Sequence, residues 1–233
     1  IGIGSYHSDD NDVINNKVSG GERGLAGLVL TESRANVIKR NEIADNTYVI
    51  GAGIHLEWSS DNNTVIENIV KGNGYGITLG YWGLYGLKDQ NNNNAIYHND
   101  LIENTKQVLS LNSINTWDDG YPSGGNYWSD YKGVDLFGGH YQNISGSDNI
   151  GDVPYTIDEN NKDNYPLMCA HGFGDLNDDG LINLLDLAIF GKAFGSHPGH
   201  PRWNSAADLD GNDFINILDG LIIAKNFGKI VFT

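Results

Sequence analysis

A spaced asparagine motif constrains this chain more than any other feature. Residues 11–18, 36–43, 63–70 and 94–101 all fit Asn-x-apolar-x-x-Asn-x-apolar, and three of the four run on to a further Asn at Asn46, Asn73 and Asn104. Short apolar-x-apolar segments alternate with the motif: Leu28 and Leu30, Ile54 and Leu56, Ile77 and Leu79, and Leu109 and Leu111. The second Asn of the motif recurs after 25, 27 and 31 residues. Short strands divided by Asn and Gly corners suit a coiled parallel sheet, in which each strand stacks on its equivalent one turn later at ~4.8 Å. The expected inward stacks are Val13/Ile38/Val65/Ile96 and Val18/Ile43/Val70/Leu101. The Asn at 16, 41, 68 and 99 are expected at the bends, bonding backbone groups that the turn leaves unpaired. Expected outward columns are Asn15/Arg40/Glu67/His98, Lys17/Glu42/Ile69/Asp100 and Val29/His55/Thr78/Ser110. Arg40 with Glu67 and Lys17 with Glu42 read as ion pairs across coils, on a solvated face where such pairs are worth little.

Composition agrees. Of 233 residues, 31 are Gly and 30 are Asn, both turn formers that tolerate left-handed backbone, which argues against a helical bundle. The net charge of −16 excludes a nucleic-acid binder that works by neutralising phosphates. No apolar run reaches the length of a membrane span, and Cys169 is the single cysteine, so neither an internal disulfide nor a cysteine-rich zinc site is available.

The repeats resemble the right-handed parallel β-helix of the NosD-like surface and periplasmic proteins. The likeness continues into residues 125–131 (GNYWSDY), 151–155 and 163–168 (DNYPLM). A β-helix end exposes strand edges and apolar core, so a cover is needed there. Tyr121, Tyr127, Trp128, Tyr131, Tyr155 and Tyr165 suit that task; an aromatic platform for sugar rings is the functional alternative.

From residue 171 the pattern changes to two acidic loops, each followed by a helical period, offset by 33 residues. In the first loop the expected ligands are Asp175, Asn177, Asp179, the Leu181 carbonyl, Asn183 and Asp186; in the second they are Asp208, Asp210, Asn212, the Phe214 carbonyl, Asn216 and Asp219. Positions 1, 3, 5, 7, 9 and 12 are the ligand spacing of an EF-hand calcium loop, so two calcium ions are expected. Helices are expected over 187–195 and 220–228, each ending on Gly. Asp213 stands at the sixth loop position, where Gly is the rule, which predicts a weaker second site. Paired loops that end in Asp resemble a type I dockerin, a calcium-dependent module that docks onto a cohesin. That resemblance implies partner contacts through Leu184, Leu185 and Lys192 in one repeat and Ile217, Leu218 and Lys225 in the other. Near-identity of the two sets implies a pseudo-twofold surface able to bind in either orientation, and the Leu and Ile pairs imply an apolar partner face. The alternative is that these side chains only pack on the β-helix.

The expected architecture is therefore mainly β. A parallel β-helix with an aromatic cap spans residues 1–168, then come a linker over 169–174, an all-α dockerin-like domain over 175–229 and a tail over 230–233. No nucleophile triad, phosphate loop or zinc helix is present, and the His55, Glu57 and Trp58 group reads as inert, so no enzymatic activity is expected. The functional expectation is an extracellular or cell-surface structural and adhesive protein, its export signal already removed. It would assemble through its calcium-bound module with a cohesin-like partner or another copy, the apolar tail of one molecule meeting the first coil of the next. A carbohydrate-binding or carbohydrate-active β-helix that engages polysaccharide is the alternative. Copper delivery through Met168, Cys169 and His171 ranks below both.

Overall fold

The computed structural model describes residues 2–20, 25–48, 51–80, 90–170, 174–177, 181–209 and 214–228. The backbone divides into two compact units, Ile1–Ala170 and His171–Thr233.

The first unit is a parallel β-solenoid. Its strands in chain order are β1 (Ile3–Tyr6), β2 (Asp12–Ile14), β3 (Lys17–Ser19), β4 (Ala26–Thr31), β5 (Val37–Lys39), β6 (Glu42–Ala44), β7 (Ala52–Glu57), β8 (Thr64–Ile66), β9 (Ile69–Lys71), β10 (Tyr75–Leu79), β11 (Ala95–Tyr97), β12 (Asp100–Ile102), β13 (Lys106–Ser110) and β14 (Tyr127–Trp128). Every third strand stacks on its predecessor, giving sheets ordered β1-β4-β7-β10-β13, β2-β5-β8-β11 and β3-β6-β9-β12-β14. Both expected inward stacks hold their register, and Trp128 continues the second one beyond Leu101. Ile38, Ile43, Val65, Val70, Ile96 and Leu101 are fully buried.

Asparagine ladders hold the corners. Asn41 Oδ1 accepts the backbone N–H of Asn16 at 3.0 Å, and Asn68 Oδ1 accepts that of Asn41 at 2.9 Å; Asn99 and Asn126 repeat the step. Each Nδ2 donates onward to the next Oδ1, at 3.0 Å from Asn41 and 2.9 Å from Asn68. A parallel ladder runs through Asn11, Asn36, Asn63, Asn94 and Asn115, and a shorter one through Asn46, Asn73 and Asn104. Just before the ladder residues, Asn15, Arg40, Glu67 and His98 have φ of 58°, 58°, 56° and 55°. These four were expected as an outward strand column; they are instead left-handed corner residues, because the chain must turn between one strand and the next. The expected ion pairs form, Arg40–Glu67 at the corners at 2.7 Å and Lys17–Glu42 between strands at 2.8 Å, and Lys39 and Lys71 join them at 3.1 and 2.8 Å. Burial works to raise the pKa of Glu42 and Glu67, but hydrogen bonds and charge from these cations outweigh it and hold both below the usual value.

Close approach explains one glycine column. A Cβ on Gly53 would lie 2.5 Å from Val70 and 2.9 Å from Asn73 Nδ2, and one on Gly27 would meet Ile43 and Asn46 in the same way. The last coil departs from expectation by one residue: Val108, not Leu109, stacks on Ile77, and Leu109 rather than Ser110 follows Thr78. Ile77 and Val108 each stand four residues beyond their ladder Asn, Asn73 and Asn104, so these two coils share one phase.

Trp128, Tyr131 and Tyr155 close the end of the core, joined by Trp117. Tyr155 stacks on Trp128 at 4.1 Å with 7° between the ring planes. The ladders end here on two new acceptors. Asn161 Oδ1 accepts Asn115 N–H at 3.0 Å and Trp117 Nε1–H at 3.1 Å; Asp163 Oδ2 accepts Asn126 N–H at 2.7 Å and Trp128 Nε1–H at 2.9 Å. Burial pushes the fully buried Asp163 carboxyl up to about 7 against the opposing pull of these donors.

Two outcomes follow from the ladder and its terminator. Asn68→Ala strands the Asn41 N–H and the Ile38 carbonyl in the interior, and is expected to cost about 3 kcal/mol in urea unfolding. A carboxyl raised in the folded state stabilises most below its unfolded value and loses that contribution as pH rises toward 7. The stability of wild type relative to Asp163→Asn is therefore expected to fall between pH 4 and 7, as measured by unfolding at several pH values.

Candidate calcium loops and docking surface

In the second unit each acidic loop runs straight into a helix. Asn183 caps α1 (Leu184–Ala193) and Asn216 caps α2 (Ile217–Asn226), each in a capping box closed by Asp186 or Asp219 at the third helical position. The helices thus start three residues earlier than expected, because the ninth loop residue is itself the cap. This places Leu184, Leu185, Ile217 and Leu218 on first helical turns. Gly195 and Gly228, at φ 77° and 84°, follow the helix ends as expected.

Asp186 and Asp219 are fully buried. Asp186 Oδ1 accepts Leu176 N–H at 2.7 Å and its Oδ2 accepts Asn183 N–H at 2.7 Å; Asp219 repeats this with Leu209 at 2.6 Å and Asn216 at 2.8 Å. Each carboxylate therefore folds its own loop back onto the helix start. The Leu181 and Phe214 carbonyls each accept the Nδ2–H of the capping Asn, at 2.9 and 3.0 Å. Asp175, Asn177 and Asp208 lie on the described parts of the loops, while Asp179, Asp210, Asn212 and Asp213 fall outside the described residues. No cluster of three His, Cys, Asp or Glu is complete among the described residues. The donor set fits a hard divalent cation, with carboxylate, amide and carbonyl oxygens in both loops and no nitrogen or sulfur.

Each loop is tied to the far end of the opposite helix. Gly195 N–H donates to the Ile215 carbonyl at 2.8 Å, and Gly228 N–H donates to the Ile182 carbonyl at 2.7 Å. Ile182 and Ile215 are fully buried. Sequence reasoning passed over this pair, although both stand at the eighth loop position of the 33-residue repeat as its branched residues. All four expected apolar contact residues are exposed: Leu184 71%, Leu185 58%, Ile217 64% and Leu218 52%. Lys192 and Lys225 are exposed too.

The solenoid groups are arranged differently. His55 and Glu57, expected as an exposed pair, are mostly buried, with His55 Nε2 3.2 Å from Glu57 Oε2 and its Nδ1 on the hydroxyl of fully buried Thr78. Burial tends to raise the Glu57 pKa, but hydrogen bonds from His55 and Thr31 more than offset it. Tyr121 and Tyr165, expected in the cap, gather with His140; the Tyr165 and His140 rings are tilted by 50° and 74° from that of Tyr121. Cys169 Sγ lies 3.7 Å from Asn149 Oδ1, and His171 falls outside the described residues. Among the described residues no helix is long and apolar enough to cross a membrane.

A parallel β-solenoid followed in the chain by a pair of acidic loops with EF-hand ligand spacing defines the class. Residues 1–133 match the family described as periplasmic copper-binding protein (NosD), and the chain belongs to that family. Residues 173–228 match the type I dockerin domain. No curated protein and no solved structure matches the chain. Among the described residues no group of three His, Cys, Asp or Glu is placed to hold the copper of the first description, and the expected Met168, Cys169 and His171 group is incomplete among them. His7 pairs with Glu32, His98 with Ser123 and His140 with Tyr165, while His197 and His200 bond local backbone.

Asp186→Asn and Asp219→Asn each remove a buried anionic oxygen from one loop. Each is expected to lower calcium affinity roughly tenfold or more and to weaken the helix that it caps, read by calorimetric titration and far-ultraviolet circular dichroism.

Proposed function

We propose that this protein is a non-enzymatic, extracellular assembly component. Its C-terminal unit binds two calcium ions and docks onto a cohesin-type partner, and the solenoid serves as a rigid spacer or display body. The observation that carries this reading is the pair of exposed apolar doublets, Leu184/Leu185 and Ile217/Leu218, on equivalent first turns of a segment matching a type I dockerin. Exposed apolar residues that sit side by side, rather than scattered singly, mark interaction surfaces. Calcium would be held by Asp175, Asn177, Asp179, Leu181, Asn183 and Asp186, and by the equivalent set from Asp208 to Asp219. It would neutralise the loops and fix the first turns on which the doublets stand. The extracellular setting draws on calcium loops suited to a calcium-rich medium and on Asn-x-Ser/Thr acceptors at exposed Asn62 and Asn143.

Sedimentation velocity tests the reading with cohesin modules from the same genome. A complex that forms in calcium and is lost in EGTA is expected, with the chain alone monomeric in both buffers. Large calcium-dependent species without any cohesin would assign assembly to self-association instead, and no complex in either buffer would refute the docking role.

A further inference from the structure

The two helices of the C-terminal unit match in their caps and first-turn residues but not in the surface that they present. Leu221 on α2 is 49% exposed, and its equivalent on α1, 33 residues earlier, is the exposed Ala188. Residues three and four apart share a helix face, so Leu218, Leu221 and Lys225 form one stripe, with Ile217 a turn before Leu221. On α1 the same stripe is Leu185, Ala188 and Lys192, in which a methyl group stands where α2 has an isobutyl group. Packing does not require Leu221 to be apolar. The core of the unit is filled from α2 by Ile222 and Ile223, 7% and 0% exposed, and from α1 by Phe190, whose ring lies 2.9 Å from where a Cβ on Gly220 would be. In the run Leu221-Ile222-Ile223 only the last two point inward, so the first is left for something else to cover.

We infer that the two docking faces are unequal, that α2 is the primary one, and that Leu221 sets the preference. The partner is a single cohesin module presenting a continuous apolar face with a carboxylate opposite Lys225. The inference rests on the docking reading above and adds an orientation to it. A pseudo-twofold module with two equal faces would bind in either orientation with equal frequency; one extra leucine side chain covered by the partner is enough to bias that choice.

The test measures binding of the full chain, calcium-loaded, to cohesin modules from the same genome by biolayer interferometry. Ile217→Asp with Leu218→Asp is expected to weaken binding roughly tenfold or more, and Leu184→Asp with Leu185→Asp by less than about twofold. Leu221→Ala alone is expected to cost about fivefold, and Ala188→Leu to recover binding in the Ile217→Asp, Leu218→Asp background. Equal losses from the two doublets, or a larger loss from the α1 doublet, would overturn the inference while leaving the docking role intact. No binding by the unmodified chain would overturn the docking role itself. Circular dichroism in calcium checks that each variant keeps its helices; should a doublet variant lose them, Leu221→Ala and Ala188→Leu in the unmodified background decide, with a loss and a gain expected respectively and no change in either refuting the preference.

Discussion

Coiled parallel strands leave a problem at every bend, where backbone N–H and C=O groups turn away from the ladder of their sheet. In this solenoid the Asn side chain meets it from both sides: its oxygen accepts an N–H from the coil before, and its amide donates to that coil's carbonyl and to the Asn of the coil after. Because the corners are pinned, the spans between them are free to vary. Consecutive ladder bonds join residues 25, 27 and 31 apart without disturbing the stacked valines and isoleucines. The same dependence explains the end of the structure. A ladder of amides needs a final acceptor, and Asn161 and Asp163 supply it while also holding the two indoles that seal the core.

The C-terminal unit uses a related device for a different end. Asn183 and Asn216 cap helices by accepting the N–H two residues on, at 2.7 and 2.8 Å, and the buried aspartates hold the loops against those caps. The reciprocal bonds from Gly195 and Gly228 join the two halves of this unit into one body. Solenoid order is thus internal to the first unit, whereas the proposed docking role of the second would depend on two acidic loops being neutralised.

Much of this was legible in the sequence. The Asn spacing implied two or three short strands per coil, and hydrophobic alternation placed both inward stacks correctly, since period-two burial and corner chemistry agree at those positions. Where the two signals separate, reading failed. Leu109 and Leu111 look like an inward pair, but Val108, four residues beyond Asn104, is the one that stacks on Ile77. Arg40, Glu67 and their equivalents look like strand residues because charge carries no mark of a left-handed backbone. The terminators were hidden because they act over long separations: Asn161 serves residue 115 and Asp163 serves residue 126. The eighth-position isoleucines were passed over because attention to ligand spacing selects the oxygen-bearing positions on either side of them.

Hydrogen exchange of the full chain with and without calcium tests most directly the claim that one unit is ordered by its own ladders and the other by the ion. Amides of residues 1–170 are predicted to be equally protected in calcium and in EGTA, while those of the loops and helices in residues 174–228 gain protection only in calcium. Loss of protection in the solenoid on removing calcium, or protection of the C-terminal helices that is indifferent to it, would contradict the account.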